Sequence, residues 1–479
     1  MTAFQLTAAA AHTRSTAAAT AMASRGVAAG DRVGIVAPDA TTSPSHAAAV
    51  QAAVACTAFG ALRMGALPVM VNTLLAPTER QGYLDDAECR LVLADSAELL
   101  ALTDASQGAA GTRLPELADM PLGRPMHFTS GTTGRSKGVW SGPVDESAAA
   151  SYWADEHDQW RIEAGDVVLN HGPLAHSAPL RFSMLAFLRG ASVVYTGAFD
   201  AERIAAAVTE FRPTVAMAVP THLQRLLDLP GGVPPSSYRM LVHAGSSCPP
   251  DLKRRIHDWA GVAHVWEFLG STEGQFTACT GAEWEERPGT LGRARTGRTL
   301  SISAVSGGSA NSSEPSADPA PGAGVIWCSA PDFARFEYFG DPAKTAAAWR
   351  RDDGGGAFTV GDLGRLDDDG YLYLHGRRTD LIVTGGVNVY PAEVEAELRR
   401  CPGVRDAAVF GEPDPVWGDR VVAAIVGEAA PDAVRDWARH NLAAYRRPKR
   451  IAAVAELPLT SNGKVRRDGL AQWVARHSR

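Results

Sequence analysis

The chain has no CxxC pair, no dense block of lysine and arginine, no internal repeat and no continuous apolar stretch of signal-peptide type. Each absence removes a class of function. The six cysteines (Cys56, Cys89, Cys248, Cys279, Cys328 and Cys401) are scattered, and no Cys/His cluster has zinc spacing. The pattern is not that of a disulfide scaffold or a zinc site, and reduced thiols are expected. With a formal net charge of -7 and no basic block, the acidic balance argues against a nucleic-acid partner or a membrane-surface role. The Ala-rich start, LTAAAAHTRSTAAATAMASRG, lacks the apolar core of a secretory signal. The nearest approach to a membrane span, HAAAVQAAVACTAFGALRMG, is mostly alanine and carries Gln51 and Arg63, so it reads as a buried helix. A cytoplasmic protein without membrane insertion is expected.

What is present is ordinary globular material: 479 residues, 45% hydrophobic and 21% charged, long enough for two or more domains. Short β-rich runs alternate with helical stretches. Residues 31–38, 66–72, 89–95, 213–220, 239–247 and 264–273 read as strands; 45–65, 201–211, 221–229 and 249–261 read as helices. This spacing predicts parallel sheets with helical crossovers, an α/β fold. Residues 304–324, rich in Ser, Pro, Gly and Ala, read as a surface loop inside a domain. A strand-rich region follows. From about residue 380 the pattern becomes a small α+β unit, with helices at 391–401 and 432–443 and strands at 406–413 and 420–428. A domain boundary is placed near Asp380, giving 1–379 and 380–479.

The stretch HFTSGTTGRSKGVW, residues 127–140, follows an apolar run and suits a phosphate-wrapping loop. Its glycines let backbone N–H groups approach an anion, and its hydroxyls add donors. A Walker A loop fails on spacing, because Lys137 is preceded by Ser136 and followed by Gly138. The dinucleotide fingerprint G-x-G-x-x-G does not occur. A plain Gly/Ser/Thr surface turn fits the same residues.

Three further motifs bear on the choice: FLGSTEG at 268–274, VGDLGRLDDDGYLYLHGRRTDLIVTGGVNVYPAEVE at 360–395, and PLTSNGKVRR at 458–467. In this order, together with the opening loop, they resemble the signatures of the adenylate-forming superfamily of acyl-CoA synthetases, carrier-loading adenylation enzymes and luciferases. The resemblance implies a large N-terminal domain with layered parallel and mixed sheets plus a β-rich subdomain, joined by a hinge at Asp380 to a small C-terminal domain. It implies that Thr129, Ser130, Gly131, Thr132, Thr133, Gly134 and Lys137 cradle the phosphates of ATP. Thr272 would touch the phosphate, and Glu273 would hold Mg2+. Ser246, Leu269, Gly270 and Ser271 would line the nucleotide and acyl pockets. Asp362 and Arg377 would bind the nucleotide, and His176 would gate the substrate carboxylate. Lys464 would bridge that carboxylate and the α-phosphate.

By the same resemblance, Gly385 and Gly386 line a pantetheine tunnel, with Trp417 against the chain of CoA. The tunnel equally suits the phosphopantetheine of a carrier protein. No Asp-Ser-Leu-type attachment site follows Lys464, so a carrier would come from another protein. The pocket segments 170–180 and 243–248 mix small residues with His171, His176, His243 and Ser246. That suits a compact aryl or polar acid at least as well as a long fatty chain. No aspartate stands at the start of the pocket-forming stretch around His171, where the resemblance implies that enzymes activating α-amino acids keep one for the amine. Departures from the family pattern mark a divergent member: Ser136 for a proline, Leu269 for the tyrosine that stacks on adenine, and Val360 for a threonine. The leading expectation is an AMP-forming acid–CoA ligase. Loading of a separate acyl carrier protein, activation of nitrite for diazotisation of an aryl amine, and a catalytically silent nucleotide-binding protein stand as alternatives.

Overall fold

The computed structural model describes residues 3–37, 43–73, 75, 77–104, 106, 115–129, 137–246, 248–304, 322–352, 355–377, 380, 382–384, 387–389, 391–414, 418–442, 444–460 and 464–478. The chain divides into two compact units. The first comprises residues 1–287, 295–298 and 329–356, and the second 288–294, 299–328 and 357–479.

The first unit is α/β, as the alternating pattern predicts. One sheet has the order Glu337–Tyr338, Lys137–Trp140, Met126–Thr129, Leu67–Asn72, Arg32–Ala37, Leu91–Leu93. Its inner pairs are parallel, from Arg32↔Leu67 to Ala37↔Asn72 and from Val33↔Leu91 to Ile35↔Leu93. A second sheet has the order Phe4–Leu6, Ser192–Tyr195, Val167–Asn170, Val215–Ala218, Met240–His243, Val265–Glu267, Thr277–Thr280. One core joins the inner faces of both sheets through helices Ala8–Ser24, Pro44–Arg63 and Ser177–Arg189. The other face of the second sheet is covered by helices Ala201–Phe211, Pro220–Leu227 and Pro250–Ala260.

Small residues set the helix spacing. A Cβ on Gly60 would fall 2.3 Å from the backbone oxygen of Ser15, so helices Ala8–Ser24 and Pro44–Arg63 approach closely only because a glycine stands there. Pro44–Arg63 is long and apolar enough to cross a membrane (mean hydropathy 1.3), but it is mostly buried inside this core. Pro220 and Pro250 each occupy a first helical position, where the missing N–H costs nothing.

The second unit contains strand Leu300–Ser303 paired antiparallel with Gly324–Ser329, so the two ends of the expected 304–324 loop lie side by side; residues 305–321 are outside the described set. Asp362–Leu366 pairs with Gly324–Ser329 and with Leu372–Arg377. Its last part is a sheet of Val387–Val389, Ile382–Thr384, Gly418–Gly427 and Val404–Asp414, with Arg450–Val454 parallel to Gly418–Gly427. Helices Pro391–Arg399 and Pro431–Asn441 pack on one face of it.

One sequence expectation fails. The strand read at 264–273 stops at Glu267. Residues 268–277 instead fold back: Phe276 N–H and Thr277 N–H donate to the Leu269 carbonyl (2.9 and 3.3 Å), Ser271 N–H donates to the Gly274 carbonyl (2.8 Å), and Gly270 pairs with Gln275. A Cβ on Gly270 would meet the Phe268 ring at 2.9 Å, so the reversal depends on glycine. Phe268 is consequently not a strand residue with a solvent face. It is 6% exposed and packs in the core against Trp160, ring centroids 5.4 Å apart.

Candidate active site

The reversal at 268–277 presents Thr272 and Glu273 at its tip, and several elements pin it. Arg124, just before strand Met126–Thr129, donates from Nη1 to the Glu273 carbonyl (3.3 Å) and from Nη2 to the Arg335 carbonyl (2.9 Å). Burial holds its pKa below the ordinary arginine value. Tyr338 donates its hydroxyl to Glu273 Oε1 (2.9 Å), and both residues are 6% exposed. Gln275 joins a buried network: Arg295 Nη1 donates to Gln275 Oε1 (2.6 Å) and to Glu156 Oε1 (3.1 Å), while Arg181 Nε lies 3.0 Å from Glu156 Oε2. Burial alone would raise the Glu156 pKa, but Arg181 and Arg295 outweigh it and hold the carboxyl below its usual range. The acidic tip is therefore anchored at its backbone, its side chain and its C-terminal flank.

Cations gather beside it. Lys137 opens strand Lys137–Trp140, and its Nζ lies 3.3 Å from Asp341 Oδ2. Lys344, in helix Pro342–Ala348, has its Nζ 4.0 Å from the Tyr338 ring centroid. Burial lowers its pKa against the pull of Glu273 and Asp341. Ser271 Oγ is buried with no hydrogen-bond partner among the described residues, an orphan polar atom in the same turn. Leu269 holds the turn through its backbone, its N–H donating to Thr277 Oγ1 (3.2 Å).

His176 caps helix Ser177–Arg189 by position, without a side-chain cap bond. His127 Nδ1 lies 2.9 Å from the Ala175 carbonyl in the turn before it. Burial pushes His127 down to about 4; His176, Arg181 and Arg124 act in the same direction, and the Ala175 carbonyl opposes them. His127 is thus a neutral imidazole beside the expected gate. Two other histidines of the expected acyl pocket are core residues. His171 is 1% exposed, and burial pushes it to about 3. His243 is fully buried with its Nε2 2.5 Å from Lys253 Nζ, which in turn donates to Glu267 Oε2 at 2.7 Å. The polar lining expected of that pocket therefore reduces to His176 and the half-buried Ser246.

In the second unit Asp362 is 6% exposed and opens strand Asp362–Leu366, in register with Arg377. Asp380 Oδ2 lies 3.3 Å from Arg467 Nε, and Arg467 Nη2 donates to both Glu395 oxygens (2.9 and 3.1 Å). Lys464 is exposed and lies opposite Thr460 in an antiparallel pairing. Its N–H donates to Thr460 Oγ1 (3.2 Å), its carbonyl accepts from Thr460 N–H (2.7 Å), and Leu459 pairs with Val465. Ser130, Gly131, Thr132, Thr133, Gly134, Gly385, Gly386 and Trp417 lie outside the described residues, as do the side chains of Thr129 and Arg377.

The sequence profile of the AMP-binding enzymes matches residues 2–121 and 125–332, and that of their C-terminal domain matches 393–464. The chain belongs to the AMP-binding enzyme family. Among its relatives, a long-chain-fatty-acid–CoA ligase of Mycobacterium tuberculosis is 28% identical over 92% of this chain and 87% of its own length. A feruloyl-CoA synthase of Amycolatopsis sp. is 31% identical over 92% of this chain and 88% of its own. The ATP-bound crystal structure of MatB from Rhodopseudomonas palustris matches 96% of this chain and 92% of its own, with a TM-score of 0.78 and 28% identity. The AMP-binding enzyme described here is accordingly of the AMP-forming acid–CoA ligase type.

The residues on hand fit the groups such chemistry needs. Among the described residues no cluster of three or more His, Cys, Asp or Glu could form an all-protein metal cage. One buried carboxylate, Glu273, beside two lysines is the donor set expected where a hard cation is shared with substrate phosphates. Sequence reasoning missed Arg124, Tyr338 and Lys344. No local motif marks them, because each reaches the 268–277 turn from a distant part of the chain.

Proposed function

We propose that this enzyme activates a small aryl or medium-size carboxylic acid as its acyl-adenylate, releasing pyrophosphate. It then passes the acyl group to the thiol of CoA, releasing AMP. The observation that carries this reading is the Glu273 turn. A buried carboxylate is clamped at its backbone by Arg124 and at its side chain by Tyr338, next to Lys137 and Lys344, in an AMP-binding enzyme.

Attack of a carboxylate on the α-phosphorus crowds negative charge onto one phosphate, so catalysis is mostly positioning and charge neutralisation. Lys137 holds the phosphate end of ATP. Glu273 would hold Mg2+, which would supply neutralisation of triphosphate charge. Asp362 accepts hydrogen bonds from the ribose hydroxyls, and His176 orients the substrate carboxylate. Lys464 supplies the cation between that carboxylate and the α-phosphate. Asp380 is the hinge between domains 1–379 and 380–479, so that Lys464 enters for the first half-reaction and withdraws for the second. The ion pair of Asp380 with Arg467 supports a conformational role over simple turn capping. The preference for an aryl acid is supported by the polar His176 and Ser246 in the expected pocket segments and by the relative that acts on a feruloyl group. The place of action is the cytoplasm.

The test is incubation with ATP, Mg2+ and a panel of acids, with and without CoA, followed by mass spectrometry. Acid-dependent AMP and an acyl-CoA product support the proposal. Adenylate formation indifferent to CoA points to a carrier protein, and turnover that needs nitrite and an aryl amine replaces the carboxylate reading.

A further inference from the structure

Four groups of the candidate site form one connected set. Strand Glu337–Tyr338 pairs antiparallel with Lys137–Trp140, with Tyr338 opposite Val139, and Phe339 N–H donates to the Gly138 carbonyl (2.7 Å). Helix Pro342–Ala348 is tied to that strand: Thr345 Oγ1 accepts from Tyr338 N–H at 2.9 Å. Asp341 faces two ways. One carboxylate oxygen accepts from Lys344 N–H (2.9 Å) and the other lies 3.3 Å from Lys137 Nζ. Lys344 extends back over the Tyr338 ring, whose hydroxyl holds Glu273. Backbone register thus fixes Lys137, Asp341, Lys344 and Glu273 around Tyr338.

We propose that Lys344 is a second triphosphate-recognising cation, acting beside Lys137 on the pyrophosphate end of ATP, with Asp341 as the counter-ion that holds Lys137 until the nucleotide binds. The inference rests on the ATP-dependent reading above and adds to it a residue and a division of labour. Charge decides the matter. Asp341 offsets Lys137 and Lys344 offsets Glu273, so the set is neutral; without Lys344 it would turn a net negative charge toward the triphosphate. Among the described residues, Lys344 makes no ion pair that would neutralise it. Burial already makes its charge costly, and an incoming phosphate oxygen recovers that cost. The α-phosphate, by contrast, is assigned to Lys464. Lys344 should therefore distinguish ATP from AMP, which carries no pyrophosphate.

The experiment is calorimetric binding of ATP (with Mg2+) and of AMP to the full-length protein and to Lys344→Met, Lys344→Gln and Lys344→Arg. A charge-assisted contact of this kind predicts ATP affinity ~10- to 100-fold weaker in the Met and Gln variants. AMP affinity should be unchanged, and ATP affinity largely restored in Lys344→Arg. Two neutral variants keep the test valid if one of them folds poorly. Equal weakening of ATP and AMP would mean a structural role, and unchanged ATP binding would mean no role; either overturns the proposal. If the unmodified protein binds neither nucleotide, the ATP reading itself fails first, and that outcome is visible before any variant is compared.

Discussion

Replacing Tyr338 by phenylalanine removes one oxygen and keeps the rest of the side chain's work. The ring stays edge-on to Phe336 at 5.5 Å and beneath Lys344 at 4.0 Å, and the backbone N–H keeps Thr345. What disappears is the 2.9 Å hydrogen bond to Glu273 Oε1 in a place where both partners are almost wholly shielded from water. A hydrogen bond to a charged group contributes about 1.5–3 kcal/mol net. At 1.36 kcal/mol per tenfold, that is roughly a 10- to 150-fold effect on whatever equilibrium or barrier the bond serves. If Tyr338 holds Glu273 ready for magnesium and triphosphate, the loss falls on kcat/KM for MgATP. The acid KM should stay within about threefold, and added Mg2+ should recover part of the rate. Initial rates of acid-dependent AMP formation at varied MgATP measure this, alongside a thermal unfolding midpoint. A lower Tm with unchanged kcat/KM for MgATP would show that the bond serves folding alone, and the reasoning would be refuted.

Three other outcomes follow from the same structure. Lys253→Met should cost about 3–5 kcal/mol in chemical denaturation, because it strands the buried Glu267 carboxylate. Converting Glu267 to Met as well should recover most of that loss. His127 is held near 4 in the folded protein against an ordinary value of 6.5. The unfolded chain therefore binds a proton first as pH falls. Stability from this group is complete above about pH 6.5 and drains away toward pH 4, at up to ~1.4 kcal/mol per pH unit. His127→Asn should flatten that part of the pH–stability curve, and an unchanged slope would contradict the assignment. Lys464→Ala should lower adenylation by at least ~10²- to 10³-fold while leaving thioester formation from a preformed adenylate largely intact; equal loss in both half-reactions would reject its role.

Much of the fold was legible because hydrophobic runs and helix caps are local. Strand Arg32–Ala37, helix Pro44–Arg63, helix Ala201–Phe211 and the strand pair Val404–Asp414 and Gly418–Gly427 fall where the pattern puts them. The strand expected through Glu273 was misread because apolar Trp266, Phe268 and Leu269 look like a continuous strand. Only the close approach of Gly270 to the Phe268 ring shows why the chain must turn. At the candidate site, Thr272, Glu273 and Lys137 were named from motifs, and the structure puts Thr272 and Glu273 at the tip of one turn and Lys137 on the strand paired with Tyr338. Tyr338, Arg124 and Lys344 were not legible in this way, since their partners lie far away in sequence and are brought close by sheet register. His171 and His243 were read as pocket residues from their neighbours in sequence. Burial of the one, and the Lys253–Glu267 pair that holds the other, are tertiary facts that no local pattern encodes.

The central claim is that a carboxylic acid is converted to an acyl-adenylate before CoA takes part. Isotope exchange between pyrophosphate and ATP, measured with the unmodified enzyme, Mg2+ and the preferred acid but no CoA, tests it most directly. The account predicts rapid acid-dependent exchange, and depletion of the exchanging pool by acyl-CoA formation once CoA is added. Exchange that is absent without CoA, or ATP turnover that yields ADP and phosphate, would contradict it.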